Sequence, residues 1–443
     1  MKGFEEIKSF DMDNAPPHEI VHWLYRNRML YARMWEIHFE MMEACFTATL
    51  LLSKQLETHF GMSITSPEFQ KLIRGFDNKP FQIHQQLWEF TQRALEEGLR
   101  PIFTENEPED IKVKLKESEA GRRWLDDFMK FLEVEGWFST QLMEFSAPYW
   151  LEDLSIPIAI VKQFIEKGKP TSLHETREKL AKEREEAVSA VLKGIPEEEK
   201  DYFTTLLKTA SWSSIYSEEH DVYCEYHYHA ALRYQYLRLG RRLVKAGILD
   251  SPEDILFLNP EEIEVFVMVP ELNDARFLVK ARRAMYEEWL KTPNPPVFTN
   301  KSGIEEAVQK DLLPGLEPII MSTVVGELPV VKLELKADIY GVCGAPGEAQ
   351  GVARVVFTFD DLSEVQPGDI LVTPNVNVDW VSVYSRLAGV ITDRGGVLGH
   401  AGIIAREYGI PAVVNTFVAT QKIKTGQRVR ILADEGAVYI LGS

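Results

Sequence analysis

His400 sits in a glycine-rich turn whose neighbours prepare an imidazole for covalent chemistry. The preceding residues, Ala388-Gly389-Val390-Ile391-Thr392, are apolar and β-branched and predict a buried strand ending at Thr392. Gly395, Gly396 and Gly399 then let the backbone turn sharply and leave room for a closely approaching group. A short helix is expected from His400 to Gly409, a natural C-terminal residue with Pro411 just beyond. Such a helix start offers backbone N–H groups and the positive end of the dipole to an anion. The same field disfavours imidazolium and keeps the ring neutral and nucleophilic. A nucleophilic histidine beside an anion site can carry a phosphoryl group. Arg406, about a turn and a half along, can reach that phosphate or pair with Glu407.

At 443 residues the chain has room for two or three domains with substantial cores. The net charge of −19 argues against nucleic acid and anionic membrane as partners. Three widely separated cysteines, Cys45, Cys224 and Cys343, show no metal-ligand spacing, and no metal site is expected. They point to a reducing compartment. No signal-peptide pattern opens the chain, and the longest apolar run, Ala44 to Leu52, is too short for a bilayer. A soluble cytoplasmic protein is the expectation.

Stepping along the chain, residues 1–17 read as a polar lead-in and His18 to Phe60 as a long helix. Gly75-Phe76-Asp77-Asn78-Lys79-Pro80 forms a polar loop before a helix from Phe81 to Leu95. It is either a helix cap or a loop over a pocket that holds Asp77 and Lys79. Residues 103–120 are acidic and read as exposed, and Glu175 to Lys193 as a charge-dense amphipathic helix. A further helix is expected from about Ser217 to Val244. At 100° per residue His220, Tyr223, Cys224, His227, Ala231 and Tyr234 share a polar-aromatic face on it. That face is either ordinary packing with satisfied histidines or a pocket for a hydroxyl acceptor, with His220 and Glu219 assisting deprotonation. A helix around Ala281 to Tyr286 is stopped by Pro293-Asn294-Pro295-Pro296. After a linker near residues 325–340 the period changes to short strands, with helices near Trp380 to Leu387 and His400 to Tyr408.

The string Gly395-Gly396, His400, Ala405-Arg406-Glu407 and Gly409-Ile410-Pro411-Ala412-Val413 closely resembles the swivelling phosphohistidine domain of the phosphoenolpyruvate-utilising enzymes. The departure is Gly399, where that family usually has Ser or Thr. The resemblance is good over residues 200–443 and looser before, where a Gly-Phe-Asp-Asn-Lys segment carries it. It implies a multidomain chain: a mainly α-helical acceptor-binding domain over 1–330 and a small β/β/α swivelling domain over 336–443. It makes His400 the carrier, with Thr392, Gly395, Gly396, Gly399 and Arg406 around the phosphate. His220, Glu219, Tyr223, Asp77 and Lys79 are the candidate acceptor-side residues. The first 330 residues show no Walker A pattern and read as helical, so ATP and Mg2+ are expected on a partner ATP-grasp subunit. The closest analogy is a split dikinase of the phenylphosphate-synthase type, which delivers to a phenol or aromatic alcohol. Two rivals are a non-catalytic interaction subunit retaining the fold and a phosphocarrier that donates to another protein.

Overall fold

The computed structural model describes residues 2–139, 144–167, 173–291, 329, 331–358, 360–376 and 380–442. The proline cluster at 293–296 and residues 325–328 and 330 of the expected linker lie outside them. Up to Lys291 the described chain is helical, apart from a single antiparallel bridge between Ser139 and Tyr149. The strands gather beyond Asp338. Contacts divide the chain into two compact units. One holds Met1–Glu40, Trp137–Tyr149 and the described residues from Val222 to Lys291; the other holds Met41–Gly136, Trp150–Asp221 and the described C-terminal residues.

The helices follow from amphipathic patterning and from their ends. Pro17–Phe60 runs for 44 residues and stops at Gly61, which takes a positive φ of 67°. Lys79–Glu96 starts on Asn78, whose side chain accepts from Phe81 N at 3.0 Å. Three expectations are corrected here. The polar lead-in contains a helix, Lys2–Lys8, because Phe4 and Ile7 give it a buried face. The acidic stretch contains Pro108–Leu115, anchored by buried Ile111 and Leu115. The helix expected from Ser217 begins at Lys200, passes into a π-helical turn at Asp221–Tyr226 and resumes as His227–Lys245.

Eight strands among the described residues form one sheet. They are β1 (Ile339–Tyr340), β2 (Val342–Ala345), β3 (Glu348–Val355), β4 (Ile370–Thr373), β5 (Gly389–Thr392), β6 (Ala412–Val414), β7 (Arg428–Leu432) and β8 (Ala437–Gly442). Their order is β1-β8-β7-β3-β4-β5-β6-β2. The run from β3 to β6 is parallel and the flanking pairings are antiparallel. Parallel strands bury both faces, and β4, β5 and β6 are buried throughout. Their side chains alternate between two cores. Leu371, Val390, Ala412 and Val414 pack with Ala401, Ile404, Ala405 and Tyr408 of the helix His400–Tyr408. Ile370, Val372, Ile391 and Val413 pack on the other face with Ala419, Ile423, Val429 and Ile431.

Within the same unit, polar side chains tie this sheet and its helix to the preceding helices. Gln70 Nε2 donates to Cys343 O at 2.7 Å, and Phe76 N donates to Glu407 Oε2 at 2.7 Å. His84 Nδ1 and Tyr408 Oη share a hydrogen bond. Phe81 joins the core under the helix, and Leu398 of the glycine loop joins the core of the helices. No helix among the described residues is long and apolar enough to cross a membrane.

Arg406 fixes the loop from beneath. It is 1% exposed, and its Nη1 donates to Gly344 O at 2.7 Å and to Val397 O at 2.8 Å. Removing the donor strands two buried carbonyls. Arg406→Met is therefore expected to cost about 3 kcal/mol of stability, measured by urea unfolding.

Candidate functional site

Strand β5 ends at Thr392 and the chain turns through 393–399 into the helix His400–Tyr408. The helix forms because Ala401, Ile403, Ile404 and Ala405 all find the core while both ends are closed. Gly399 is the N-terminal cap residue, with extended backbone at φ −81° and ψ 160°. At the other end Gly409 adopts φ 64°, and Ile410 N returns to Ala405 O at 3.0 Å. His400 is thus the first helical residue, and its ring is 27% exposed.

The ring faces two buried carboxylates from one helical turn of the same unit. Nδ1 lies 3.4 Å from Glu218 Oε1, and Nε2 lies 3.4 Å from Asp221 Oδ2. Glu218 and Asp221 are each 1% exposed. Burial pushes the Asp221 carboxyl up to about 7; His400 opposes the rise and the nearby Glu218 carboxylate adds to it. The other oxygen of Asp221, Oδ1, lies 3.1 Å from His220 Nε2. His220 Nδ1 lies 2.9 Å from Tyr216 O. A carbonyl only accepts, so Nδ1 carries a proton, and a hydrogen bond at Nε2 then needs one further proton between His220 and Asp221. Tyr384 is fully buried close by; burial first, then Glu218 and Tyr408, hold its hydroxyl in the neutral form.

The expected phosphate-loop residues divide into two groups. Gly395 takes φ 100° with open space where a Cβ would stand, and Gly396 O accepts Gly399 N at 3.0 Å; both shape the turn. Thr392 and Arg406 point inward. The Thr392 hydroxyl donates to Arg394 O at 2.8 Å, and Arg406 holds the carbonyls of Gly344 and Val397. Arg406 is therefore a buried tie beneath the loop and not a phosphate ligand, because a guanidinium spent on main-chain carbonyls faces away from solvent.

The expected acceptor-side residues also divide. His220 reaches the site through Asp221. Glu219, its neighbour, turns to Lys79, whose backbone and charge offset the rise in the Glu219 pKa that burial causes. Lys79 Nζ donates to Glu135 Oε1 at 2.6 Å, and Asp77 pairs with Arg177 at 2.7 Å. With Asn78 capping the following helix, the loop is a helix start rather than a pocket lid. Tyr223 belongs to the other compact unit, where it packs edge-on against His227 at 5.8 Å between ring centroids. The face expected at 100° per residue is broken because the turn from Asp221 is π-helical, with i→i+5 spacing. Glu218 and Asp221 were not singled out from the sequence. Their i, i+3 spacing is the signal that places two carboxylates together.

Residues 365–436 match the family model of the PEP-utilising enzyme mobile domain, and residues 37–214 match the rifampicin phosphotransferase fourth domain. Over these two segments the chain is similar to PEP-utilising enzymes and rifampicin phosphotransferases. It is 26% identical over 420 residues to the uncharacterized phosphotransferase YvkC of Bacillus subtilis, covering 94% of this chain and 48% of that protein. It is 28% identical over 438 residues to chondramide synthase cmdD of Chondromyces crocatus, covering 96% of this chain and 11% of that one. A rifampicin phosphotransferase of Streptomyces sviceus is 26% identical over 344 residues, covering 76% of this chain and 36% of that one. The chain spans less than half the length of each of these relatives.

Gly402 is a site residue that the sequence motif did not single out. A Cβ there would stand 2.8 Å from Val397 O and 3.2 Å from both Arg406 Nη1 and Gly344 O. Gly402→Ala must push the loop off the helix and turn the His400 ring. It is expected to shift the His400 ring resonances in NMR spectra while circular dichroism stays unchanged.

Proposed function

We propose that this chain is a phosphotransferase component in which His400 carries a phosphoryl group to a small hydroxyl acceptor. The observation that supports this best is the presentation of His400 at a helix start, part-exposed, against two buried carboxylates. The relatives named phosphotransferase support the same reaction class. The group arrives from ATP, cleaved with Mg2+ on an ATP-grasp partner, and leaves in a second position where His400 faces Glu218 and Asp221. In delivery the N–P bond of phosphohistidine breaks as an O–P bond to the acceptor forms. The bonding pair returns to the ring nitrogen, which takes up the hydroxyl proton. Positioning and charge neutralisation, more than covalent help, set the rate of such a transfer.

For the acceptor we propose a phenol or aromatic alcohol. The relatives named rifampicin phosphotransferase support a small-molecule acceptor over a protein. An acceptor hydroxyl with a pKa of about 10 gives up its proton more readily than an aliphatic alcohol. The two-position cycle requires the swivelling domain, residues 336–443, to move on its connection to the helical region.

Labelled phosphoramidate, a small-molecule phosphoryl donor, tests the carrier. The protein should take up one acid-labile, base-stable phosphoryl group, and His400→Ala none. Label that persists in His400→Ala, or a wild-type protein that takes up none, overturns the assignment. A chase with phenols should discharge the label faster than a chase with sugars or keto acids; the reverse order overturns the acceptor class.

Labelled ATP tests the split. Protein incubated with ATP and Mg2+ alone should stay unlabelled. Self-labelling with ATP would place the donor site on this chain and refute the partner.

A further inference from the structure

Glu218 and Asp221 place two buried carboxyl groups directly against the His400 ring. Both are 1% exposed, and each keeps one buried oxygen, Glu218 Oε2 and Asp221 Oδ2, that makes no hydrogen bond. One ligand atom from each carboxylate and one ring nitrogen of His400 all lie within 4.8 Å of one another. A phosphoryl group on His400 would bring a dianion against these buried acids, where repulsion from any carboxylate is strong. A hard divalent cation resolves this.

We propose that Glu218, Asp221 and His400 form a site for one divalent cation of the Mg2+ or Mn2+ type, which neutralises the phosphoryl group while His400 carries it. The role of the cation rests on the carrier reading; its binding does not. The donor set fits. Carboxylate oxygens suit hard cations, and imidazole is tolerated by Mn2+. Ligands on opposite sides of Mg2+ stand about 4.2 Å apart, twice its usual bond length, within the span seen here. Asp221 Oδ1 is oriented by His220 Nε2 at 3.1 Å, which leaves Oδ2 turned toward His400. Metal-binding carboxylates are held by hydrogen bonds of this kind. On phosphorylation the phosphoryl oxygens replace the ring nitrogen as ligands, and the two carboxylates keep the cation. No electrons move to or from the metal; the N–P bond breaks and the O–P bond forms as described above.

Manganese titration of the whole chain, followed by the paramagnetic resonance of free Mn2+, tests binding. One site per chain is expected. Asp221→Asn and Glu218→Gln should each weaken it about tenfold or more with unchanged circular dichroism. His400→Ala should weaken it less. A wild-type measurement guards against misfolded variants: Fe2+ with ascorbate and peroxide should cut the backbone beside Glu218 to Asp221 and beside His400. Cuts confined to surface acidic clusters, or equal Mn2+ binding by wild type and the double variant, overturn the site. Protein labelled with phosphoramidate should bind Mn2+ more tightly than unlabelled protein, and equal affinity overturns the neutralising role. Mn2+ bound at these residues in a protein whose His400 never labels supports the site and sinks the carrier reading instead.

Discussion

Two carboxylates from one turn of helix are buried side by side against a single imidazole. Burial disfavours the charged form of Asp221 there, and the Glu218 carboxylate beside it adds to that cost while His400 opposes it. That balance organises the surroundings. The π-helical turn begins at Asp221 itself. His220 is fixed at one end by Tyr216 O and at the other by Asp221. His400 comes in from the sheet domain to face both acids. A site built this way is sensitive to whatever charge the imidazole carries, and a phosphoryl group changes that charge sharply.

The loop that delivers His400 is held by backbone fit rather than by surface contacts. Gly402 lets the helix sit on Val397 O, Arg406 stitches the loop to β2, and Leu398 anchors its tip in the helices. The glycine loop is therefore stiff where the motif suggests permissiveness. Gly399 closes the helix start without any side-chain hydroxyl, so the histidine is oriented by the carboxylates facing it.

Much of this was legible in the sequence where periodicity and end signals agree. The helix headed by His400 matches its expected span because Gly409 and Pro411 mark its end, and β5 ends at Thr392 as expected. Strand β2 carries no such signal, since its short run Val342-Cys343-Gly344-Ala345 is interrupted by a glycine. Gly344 is there because a Cβ would stand 2.7 Å from Val414 of the paired strand. On the helical side, Glu218 and Asp221 lie beside the stripe that holds His220, Tyr223 and His227. Histidines and tyrosines advertise chemistry, whereas a pair of glutamate and aspartate side chains reads as a solvated face. Only the fold shows that these two are dry. The ring of polar residues around Tyr223 failed as a single face because helical phase does not survive a π turn.

Glu407 carries a consequence for how its helix packs against the helices that precede it. It lies on the carrier helix, accepts Phe76 N, and is buried so deeply that its pKa rises to about 8. In water a glutamate has a pKa near 4.3. Any departure of the carrier helix from the helices that cover it re-exposes this carboxyl, which then releases a proton at neutral pH. Docking takes that proton back. Packing of this helix is therefore coupled to a proton: it holds at full strength below the aqueous pKa and weakens as pH climbs toward 8. The contacts that hold it, Gln70 on Cys343 O, Phe76 N on Glu407 and His84 on Tyr408, are bonds water can replace. The clasp is thus one that acidity tightens and rising pH loosens.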